Sequence, residues 1–134
     1  IAGEGPEETN LKLLAEKENL ANKIDWLGFE KNLENIFRSS TIFCLPSNYE
    51  GMSNSLLEGL SYDLPCVVSD SVVHCRDPLK KFVITFRRND HLDLFNKLDK
   101  VKDSKLNVNN KFFDFAKSEL NPCIINKKWE DLLT

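Results

Sequence analysis

The stretch that decides the fold runs from Thr41 to Asp70 and reads TIFCLPSNYEGMSNSLLEGLSYDLPCVVSD. It begins and ends with the short, uninterrupted apolar runs TIFCLP and LPCVVS, a pattern typical of strands buried on both faces of a sheet. Between them, SNSLLEGLSYD carries leucines at helical spacing, and Ser53 is the expected N-cap. The stretch therefore predicts a strand, a helix and a second strand of a parallel sheet.

The alternation of strands and helices continues on both sides of this stretch. Upstream, IAG reads as the end of a strand, a helix follows from Pro6 to about Asn22, KIDWLGF reads as a strand that ends at Gly28, and NLENIFRSS as a short helix. Downstream come the strand KKFVITF, the helix NDHLDLFNKLDKV with Asp90 near its cap, and two helices separated at Asn121-Pro122. The predicted fold class is α/β, a Rossmann-like doubly wound parallel sheet.

Length, charge and cysteines narrow the class of protein. The 134 residues suit a single domain, and the net charge of −3 gives no basic field for nucleic acid. No apolar run approaches the roughly 18–20 residues that span a bilayer. Cys44 and Cys66 lie in apolar runs, where we expect buried, reduced thiols of a cytoplasmic protein. No cysteine or histidine cluster has zinc spacing, so no metal is expected.

Two glutamates, Glu50 and Glu58, raise the question of a site. Parallel sheets bind ligands outside the carboxyl ends of their strands, and a helix from Ser53 or Asn54 to Tyr62 would place both acids near such an end. The N–H groups at the start of that helix can bind phosphate, and carboxylates can accept hydrogen bonds from hydroxyls. A phosphate between two polyols describes a nucleotide-sugar. On periodicity alone, two solvated surface acids remain the favoured alternative.

The stretch from Glu50 to Asp70 resembles the donor-binding signature of retaining glycosyltransferases of GT-B family 4. The signature has two glutamates with seven residues between them, an apolar helix, a turn with proline, a buried strand and Ser-Asp. IAGEGPE is similar to the family's G-x-G-P turn, IDWLGF to its strand-Leu-Gly-Phe element, and SSTIFCLPSNYEG to its approach to the first glutamate. The resemblance implies that residues 1–134 are one nucleotide-sugar-binding domain, the C-terminal half of a GT-B glycosyltransferase.

The resemblance also implies a role for each matching residue. The family needs no metal or other cofactor, because the nucleotide-sugar is itself the substrate. Two glutamates would bind polyols, the loop between them would approach the sugar, and an upstream loop would line the base. The implied positions are Glu50 as the catalytic-site acid at the donor sugar, Gly51, Met52 and Ser53 at the sugar, Asn54 and Ser55 at the diphosphate, Glu58 at the ribose, and Gly28, Phe29, Glu30 and Lys31 at the base.

The implied activity is transfer of a hexose, with retention, from a nucleotide-sugar to a glycan or lipid-linked acceptor. The setting would be polysaccharide biosynthesis in the cytoplasm, with association to the cytoplasmic face of a membrane. The family's acceptor-binding domain and its diphosphate-clamping Arg and Lys would precede Ile1. We therefore expect the chain to be a fragment without its first strands, which alone binds donor weakly and transfers little.

Two alternatives stay open. The chain could be a non-catalytic α/β module that binds a sugar nucleotide or regulates a partner. A GT-B-fold epimerase would need further acid/base residues that the sequence does not offer.

The sequence also departs from the family after Asp70, where SVVHCRDP stands in place of a glycine-rich segment. There, His74 is a weak candidate for catalysis, and Arg87 with Arg88 a weak candidate for an anionic acceptor or lipid.

Overall fold

The computed structural model describes residues 1–73, 78–103 and 111–133. The chain divides into two compact units, Ile1–Ile36 and Phe37–Thr134, called here the first and second unit. That residues 1–134 act as one donor-binding domain stays a prediction. Among the described residues, no helix combines the length and apolar character needed to cross a bilayer.

The first unit contains helix α1 (Glu8–Lys17), which is shorter than the sequence predicted. Asn19 adopts a positive φ of 57°, and the Leu20 N–H donates to the Ala15 carbonyl at 2.7 Å. A left-handed residue with such a bond ends a helix. A 3-10 turn, Ala21–Lys23, follows instead of further α-helix. Pro6, predicted in the first helical turn, lies before the helix.

The two strands predicted in the first unit are reduced to a single parallel bridge between Ala2 and Gly28. Two backbone hydrogen bonds hold it: the Gly3 N–H donates to the Gly28 carbonyl at 2.7 Å, and the Leu27 N–H donates to the Ile1 carbonyl at 2.9 Å. Gly28 then leaves the extended region with a φ of 63°, which ends the pairing. The prediction of a strand over KIDWLGF was therefore wrong in extent, although the segment pairs where expected.

Helix α2 (Glu34–Ser39) leads into the second unit, which is built on a three-stranded parallel sheet in the order β1-β2-β3. The strands are β1 (Phe43–Leu45), β2 (Cys66–Ser69) and β3 (Val83–Phe86). Helix α3 (Asn54–Ser61) connects β1 to β2, and a 3-10 turn (Pro78–Phe82) precedes β3. The remaining helices are α4 (His91–Asp103), α5 (Lys111–Glu119) and α6 (Pro122–Leu133).

Helices cover both faces of this sheet, which confirms the predicted doubly wound α/β class. One face packs Cys66 and Val68 of β2 against α3 and α5. The opposite face packs Val67 and Phe86 against α4. Strand β2 is buried along its whole length, as its uninterrupted apolar run predicted.

Helix α3 sits unusually close to β1, and Gly59 makes this approach feasible. A Cβ atom at Gly59 would lie 3.0 Å from Cγ of Phe43. Phe37 and Tyr62 continue this contact, with their rings stacked 5.2 Å apart. This close contact holds α3 against β1, and the loop that joins them carries the candidate site described below.

The prediction of a buried Cys44 was wrong, whereas that of a buried Cys66 is confirmed. In the described sheet β1 is an edge strand, and α4 packs on β2 and β3 of the face that carries Cys44. Cys44 is therefore exposed. Burial raises the pKa of the Cys66 thiol to about 12, which makes it inert as a nucleophile.

Candidate functional site

The site is built from loops at one edge of the sheet. Because β1, β2 and β3 are parallel, the segments that follow them emerge at the same edge. These segments are residues 46–53 after β1, residues 70–73 after β2 and residues 87–90 after β3. Glu50 lies in the first of them, as predicted.

The N-terminus of α3 opens directly from the loop that carries Glu50. Ser53 is the N-cap, and its Oγ accepts the Leu56 N–H at 3.3 Å, as the sequence predicted. The Leu57 N–H donates to the Ser53 carbonyl. Among the described residues, no acceptor takes the N–H groups of Asn54 and Ser55, and no acidic residue lies in the first turn. Such a helix start can accept an anionic ligand.

Glu50 is half-buried, and its carboxylate is held by Ser47. The Ser47 Oγ donates to Glu50 Oε1 at 2.8 Å. Ser47 itself follows Pro46, directly after β1, so the bond ties the loop acid to the end of the strand. Within the described part of the chain, Oε2 has no hydrogen-bond donor. That oxygen and the remaining lone pairs are suited to hydroxyl donors of a ligand.

A chain of serine hydroxyls links the loops after β1 and β2. The Ser71 Oγ donates to the Ser47 carbonyl at 2.8 Å, and the hydroxyls of Ser69 and Ser71 are 2.7 Å apart. Since the single Ser71 hydroxyl proton goes to Ser47, the Ser69 hydroxyl is the donor to Ser71. The Ser71 N–H donates in turn to Ser69 Oγ at 3.3 Å. Ser69 is 1% exposed, so the chain begins in the core.

Arg88 connects the loop after β3 to the other two. Its N–H donates to Asp70 Oδ1 at 3.1 Å, and its guanidinium donates to the Asn48 carbonyl at 3.4 Å. The Asp70 N–H donates to the Phe86 carbonyl at 2.9 Å. Arg88 therefore holds the loop that carries Glu50 at Asn48, through bonds that do not involve Ser47. The neighbouring Arg87 pairs with Asp90 at 2.8 Å, within its own loop.

The other predicted residues of this unit lie on the surface around that loop. Gly51, Asn54 and Glu58 are exposed, and the Met52 side chain is 72% exposed. Ser55 is half-buried, with its hydroxyl 3.0 Å from that of Ser53. Glu58 occupies the second turn of α3, on a different face from the buried Leu56 and Leu60. The assigned roles of these residues remain predictions.

The predicted base loop, Gly28 to Lys31, belongs to the first unit. The Phe29 N–H donates to Glu4 Oε1 at 3.2 Å, and the same oxygen lies 3.4 Å from where a Gly28 Cβ would be. The Phe29 ring is 70% exposed, and Glu30 and Lys31 are exposed as well. An exposed aromatic ring in a loop is suited to contact with a planar base.

Sequence reasoning did not identify Ser47 and Ser71, which fix the Glu50 loop, and it considered Arg88 only as a contact for an anionic acceptor or lipid. The available signal was the presence of small hydroxyl residues directly after two neighbouring strands. His74 lies outside the described residues. Within the described ranges, no group of three or more His, Cys, Asp and Glu side chains could hold a metal ion. The expectation that no metal is needed stays a prediction.

Comparison with known proteins assigns the family. Residues 1–118 match the family model "Glycosyl transferases group 1". The chain is 34% identical over 116 residues to UDP-Gal:alpha-D-GlcNAc-diphosphoundecaprenol alpha-1,3-galactosyltransferase of Escherichia coli, covering 83% of this chain and 30% of that protein. It is 25% identical over 136 residues to the amylovoran biosynthesis glycosyltransferase AmsD of Erwinia amylovora, covering 99% of this chain and 38% of AmsD.

A solved structure agrees on the fold. The lipopolysaccharide outer core galactosyltransferase WaaB, in its apo form, superposes with a TM-score of 0.63 at 23% identity, covering 75% of this chain and 30% of that chain. The chain thus spans about a third of the length of these relatives. The matched residues include both the first unit and the loops at the sheet edge. The chain belongs to the group 1 glycosyl transferases, a family of the GT-B fold.

Proposed function

We propose that this chain is the donor-binding part of a retaining glycosyltransferase that uses a nucleoside-diphosphate sugar. The observation that carries the proposal is the position of Glu50, which is half-buried, is held by Ser47 and precedes the N-terminus of α3, a helix with no acidic residue in its first turn. A carboxylate with one oxygen held and the other available can accept sugar hydroxyls. The adjacent N–H groups of Asn54 and Ser55 can take the diphosphate without a basic side chain.

The remaining roles are those that the family resemblance implies. Glu58 lies one turn into α3, so it would accept the ribose hydroxyls beyond the diphosphate. The loop Gly28 to Lys31 would contact the base through its backbone and the exposed Phe29 ring. Neither glutamate is proposed as a nucleophile. The acceptor would attack from the face that the diphosphate leaves, and the departing phosphate would take its proton. The chain's contribution would be orientation and stabilisation of the leaving group.

The acceptor is proposed to be a glycan or a lipid-linked sugar at the cytoplasmic face of a membrane. The relative from Escherichia coli acts, by its name, on a diphosphoundecaprenol-linked sugar, and AmsD serves amylovoran biosynthesis. This chain spans about a third of such proteins, so acceptor binding would require further sequence. We accordingly expect residues 1–134 alone to bind donor weakly and to transfer little.

Donor binding by the full-length protein tests the proposal. Calorimetry would compare each nucleotide-sugar with its nucleoside diphosphate, using UDP-galactose and UDP, GDP-mannose and GDP, and ADP-glucose and ADP. Glu50→Ala should abolish the extra affinity that the sugar provides, because Glu50 would contact only the sugar. Glu58→Ala should weaken both members of a pair by roughly tenfold, since a lost hydrogen bond to a charged group is worth about that much.

Asp99→Ala is the matched control, because Asp99 is an exposed acid on α4, away from the loops. It should bind like the parent. If Glu50→Ala and Glu58→Ala also bound every pair like the parent, the proposed site would be wrong. Donor binding without transfer to any glycan or lipid-linked acceptor would instead favour the non-catalytic module.

A further inference from the structure

We propose that Ser69, Ser71 and Ser47 form a serine relay that positions Glu50 for the donor sugar. The inference rests on the proposed function and adds positioning residues to it. The family signature includes Ser69 in its Ser-Asp step, and Ser47 precedes its first glutamate, but the resemblance implied no role for any of these three serines. They are connected only in the folded chain, because Ser71 and Ser47 are 24 residues apart in sequence.

The direction of the relay follows from its hydrogen bonds. It begins at Ser69, which is 1% exposed at the end of β2, and passes to Ser71 over 2.7 Å. Ser71 donates to the Ser47 carbonyl at 2.8 Å. Ser47 then donates through its side chain to Glu50 Oε1 at 2.8 Å. A buried residue on the central strand is thus linked, through three bonds, to a carboxylate at the sheet edge.

Glu50 needs such a device because no regular secondary structure holds its backbone. It lies in the loop between β1 and α3, without regular backbone pairing. A glutamate has several rotatable bonds, and their ordering costs entropy that a ligand would otherwise have to supply. The bond to Oε1 restricts the carboxylate before the ligand arrives and leaves Oε2 available. Loss of the relay should therefore weaken contact with the sugar while the diphosphate contacts at α3 persist.

The loop itself should survive loss of the relay, because Arg88 holds it independently. The Arg88 guanidinium donates to the Asn48 carbonyl, and its N–H donates to Asp70. Neither bond involves a relay serine or Glu50. Removing one serine hydroxyl should thus change the freedom of the Glu50 side chain more than the fold of the second unit.

The experiment uses the full-length protein and the pairs UDP-galactose and UDP, GDP-mannose and GDP, and ADP-glucose and ADP. Ser47→Ala and Ser71→Ala should each reduce the affinity ratio of nucleotide-sugar to nucleoside diphosphate by roughly 3- to 10-fold. Affinity for the nucleoside diphosphate alone should stay at the parent value. Ser47→Thr and Ser71→Thr, which keep the hydroxyl, should restore most of the ratio.

A double-mutant cycle separates positioning from general stability. In the Glu50→Ala background, Ser47→Ala should have no further effect on the ratio, because the serine acts only through Glu50. Ser118→Ala is the matched control, since the Ser118 hydroxyl also donates to a backbone carbonyl, that of Phe115, but in α5. It should leave both affinities unchanged, and thermal unfolding should show that every variant folds.

The outcomes are distinct. The first outcome is that Glu50→Ala lowers the affinity ratio of nucleotide-sugar to nucleoside diphosphate, whereas Ser47→Ala and Ser71→Ala both keep the parent's ratio. In that case the serine relay is wrong and the proposed function stands. If the alanine variants lose affinity for nucleotide-sugar and nucleoside diphosphate equally, the serines are only structural and the relay is also wrong. If Glu50→Ala leaves the parent's affinity ratio unchanged, the proposed function is overturned together with the relay.

Discussion

Helices α3 and α4 begin at the same edge of one sheet, yet their first turns differ in charge. The α3 start is capped by the neutral hydroxyl of Ser53 and has no acid in its first turn. The α4 start is capped by Asp90, whose Oδ1 accepts the Asp93 N–H at 2.9 Å. Asp93 in turn accepts the Arg87 N–H at 2.8 Å. One helix satisfies its positive end with its own carboxylates, and the other does not.

This difference indicates which helix start is compensated by the chain's own carboxylates and which is available to a ligand. Both ends carry the same partial positive charge, since the backbone dipole does not depend on sequence. At α4 that charge is already compensated by Asp90 and Asp93, and Arg87 adds an ion pair to Asp90. At α3 the compensation has to come from outside. The carboxylate that lies nearby in sequence, Glu50, is turned to Ser47.

An acidic residue in the first turn of α3, like the one in α4, should remove the difference between the two helix starts. Asn54→Asp places a carboxylate in the first turn of α3, beside the proposed diphosphate. Two like charges about 4 Å apart repel by about 1 kcal/mol in water and about 4 kcal/mol at a protein surface. We therefore expect affinity for the nucleoside diphosphate to fall roughly 30- to 100-fold. Stability should hold or rise slightly, because an acid favours a helix start.

Asn96→Asp supplies the control for this prediction. Asn96 is an exposed residue within α4, so the same chemical change adds the same net charge away from the loops. Its affinity for UDP, GDP and ADP, measured by calorimetry at one ionic strength, should equal that of the parent. Unchanged affinity in Asn54→Asp would show that the diphosphate does not bind at α3.

The position of α3 against the sheet depends on Gly59. A side chain at Gly59 would press on the Phe43 ring, 3.0 Å from the Cβ position. Gly59→Leu should lower the free energy of unfolding by about 1–3 kcal/mol, the usual cost of overpacking. Gly59→Ala should change it little, because a gain of up to about 1 kcal/mol in helix propensity offsets the tight contact.

Urea unfolding of the chain measures this effect. Ser61→Leu is the control, because it adds the same side chain at an exposed position of the same helix. It should change the unfolding free energy by less than about 0.5 kcal/mol, as surface substitutions usually do. A Gly59→Leu variant as stable as the parent would mean that α3 does not need its close approach to β1.

The sequence predicted the second unit well because its signals were local. Uninterrupted apolar runs marked β1 and β2, and Ser53 marked the start of α3. Exposure of Cys44 could not be predicted, since an apolar run does not reveal which strand lies at an edge. The strand over KIDWLGF was overpredicted, because a strand requires a partner as well as a pattern. Only one bridge forms there.

The candidate site was predictable in its main acid and not in the bonds that hold it. Glu50 followed from its place after a buried strand and from the family signature. The bond from Ser47 to Glu50 depends on side-chain conformation, which no spacing reveals. The bond from Ser71 to Ser47 depends on which loops become neighbours, because 24 residues separate the two serines. Such contacts are determined only when the sheet has formed.

The smallest expected effect is a pH dependence of stability at the start of α4. The N–H of Asp93 at Asp90 Oδ1, together with Arg87, lowers the pKa of Asp90 below its ordinary value. A carboxyl whose pKa is lower in the folded state binds fewer protons there than in the unfolded state at acidic pH. Its contribution is therefore complete above the ordinary aspartate range and is lost as pH falls through the lowered pKa. The Ser53 cap of α3 has no charge and gives no such dependence.

Carboxyl carbon NMR should give an Asp90 pKa below that of a model aspartate. The stability difference between the parent and Asp90→Asn should be constant near neutral pH. It should shrink as pH falls through the lowered Asp90 pKa, because the asparagine side chain keeps an oxygen acceptor but cannot titrate. Ser53→Asn serves as the control at α3, since neither cap titrates and its difference from the parent should stay constant with pH. An Asp90 that titrates at its ordinary pKa would show that α4 does not compensate its own helix start, and the contrast with α3 would lose its basis.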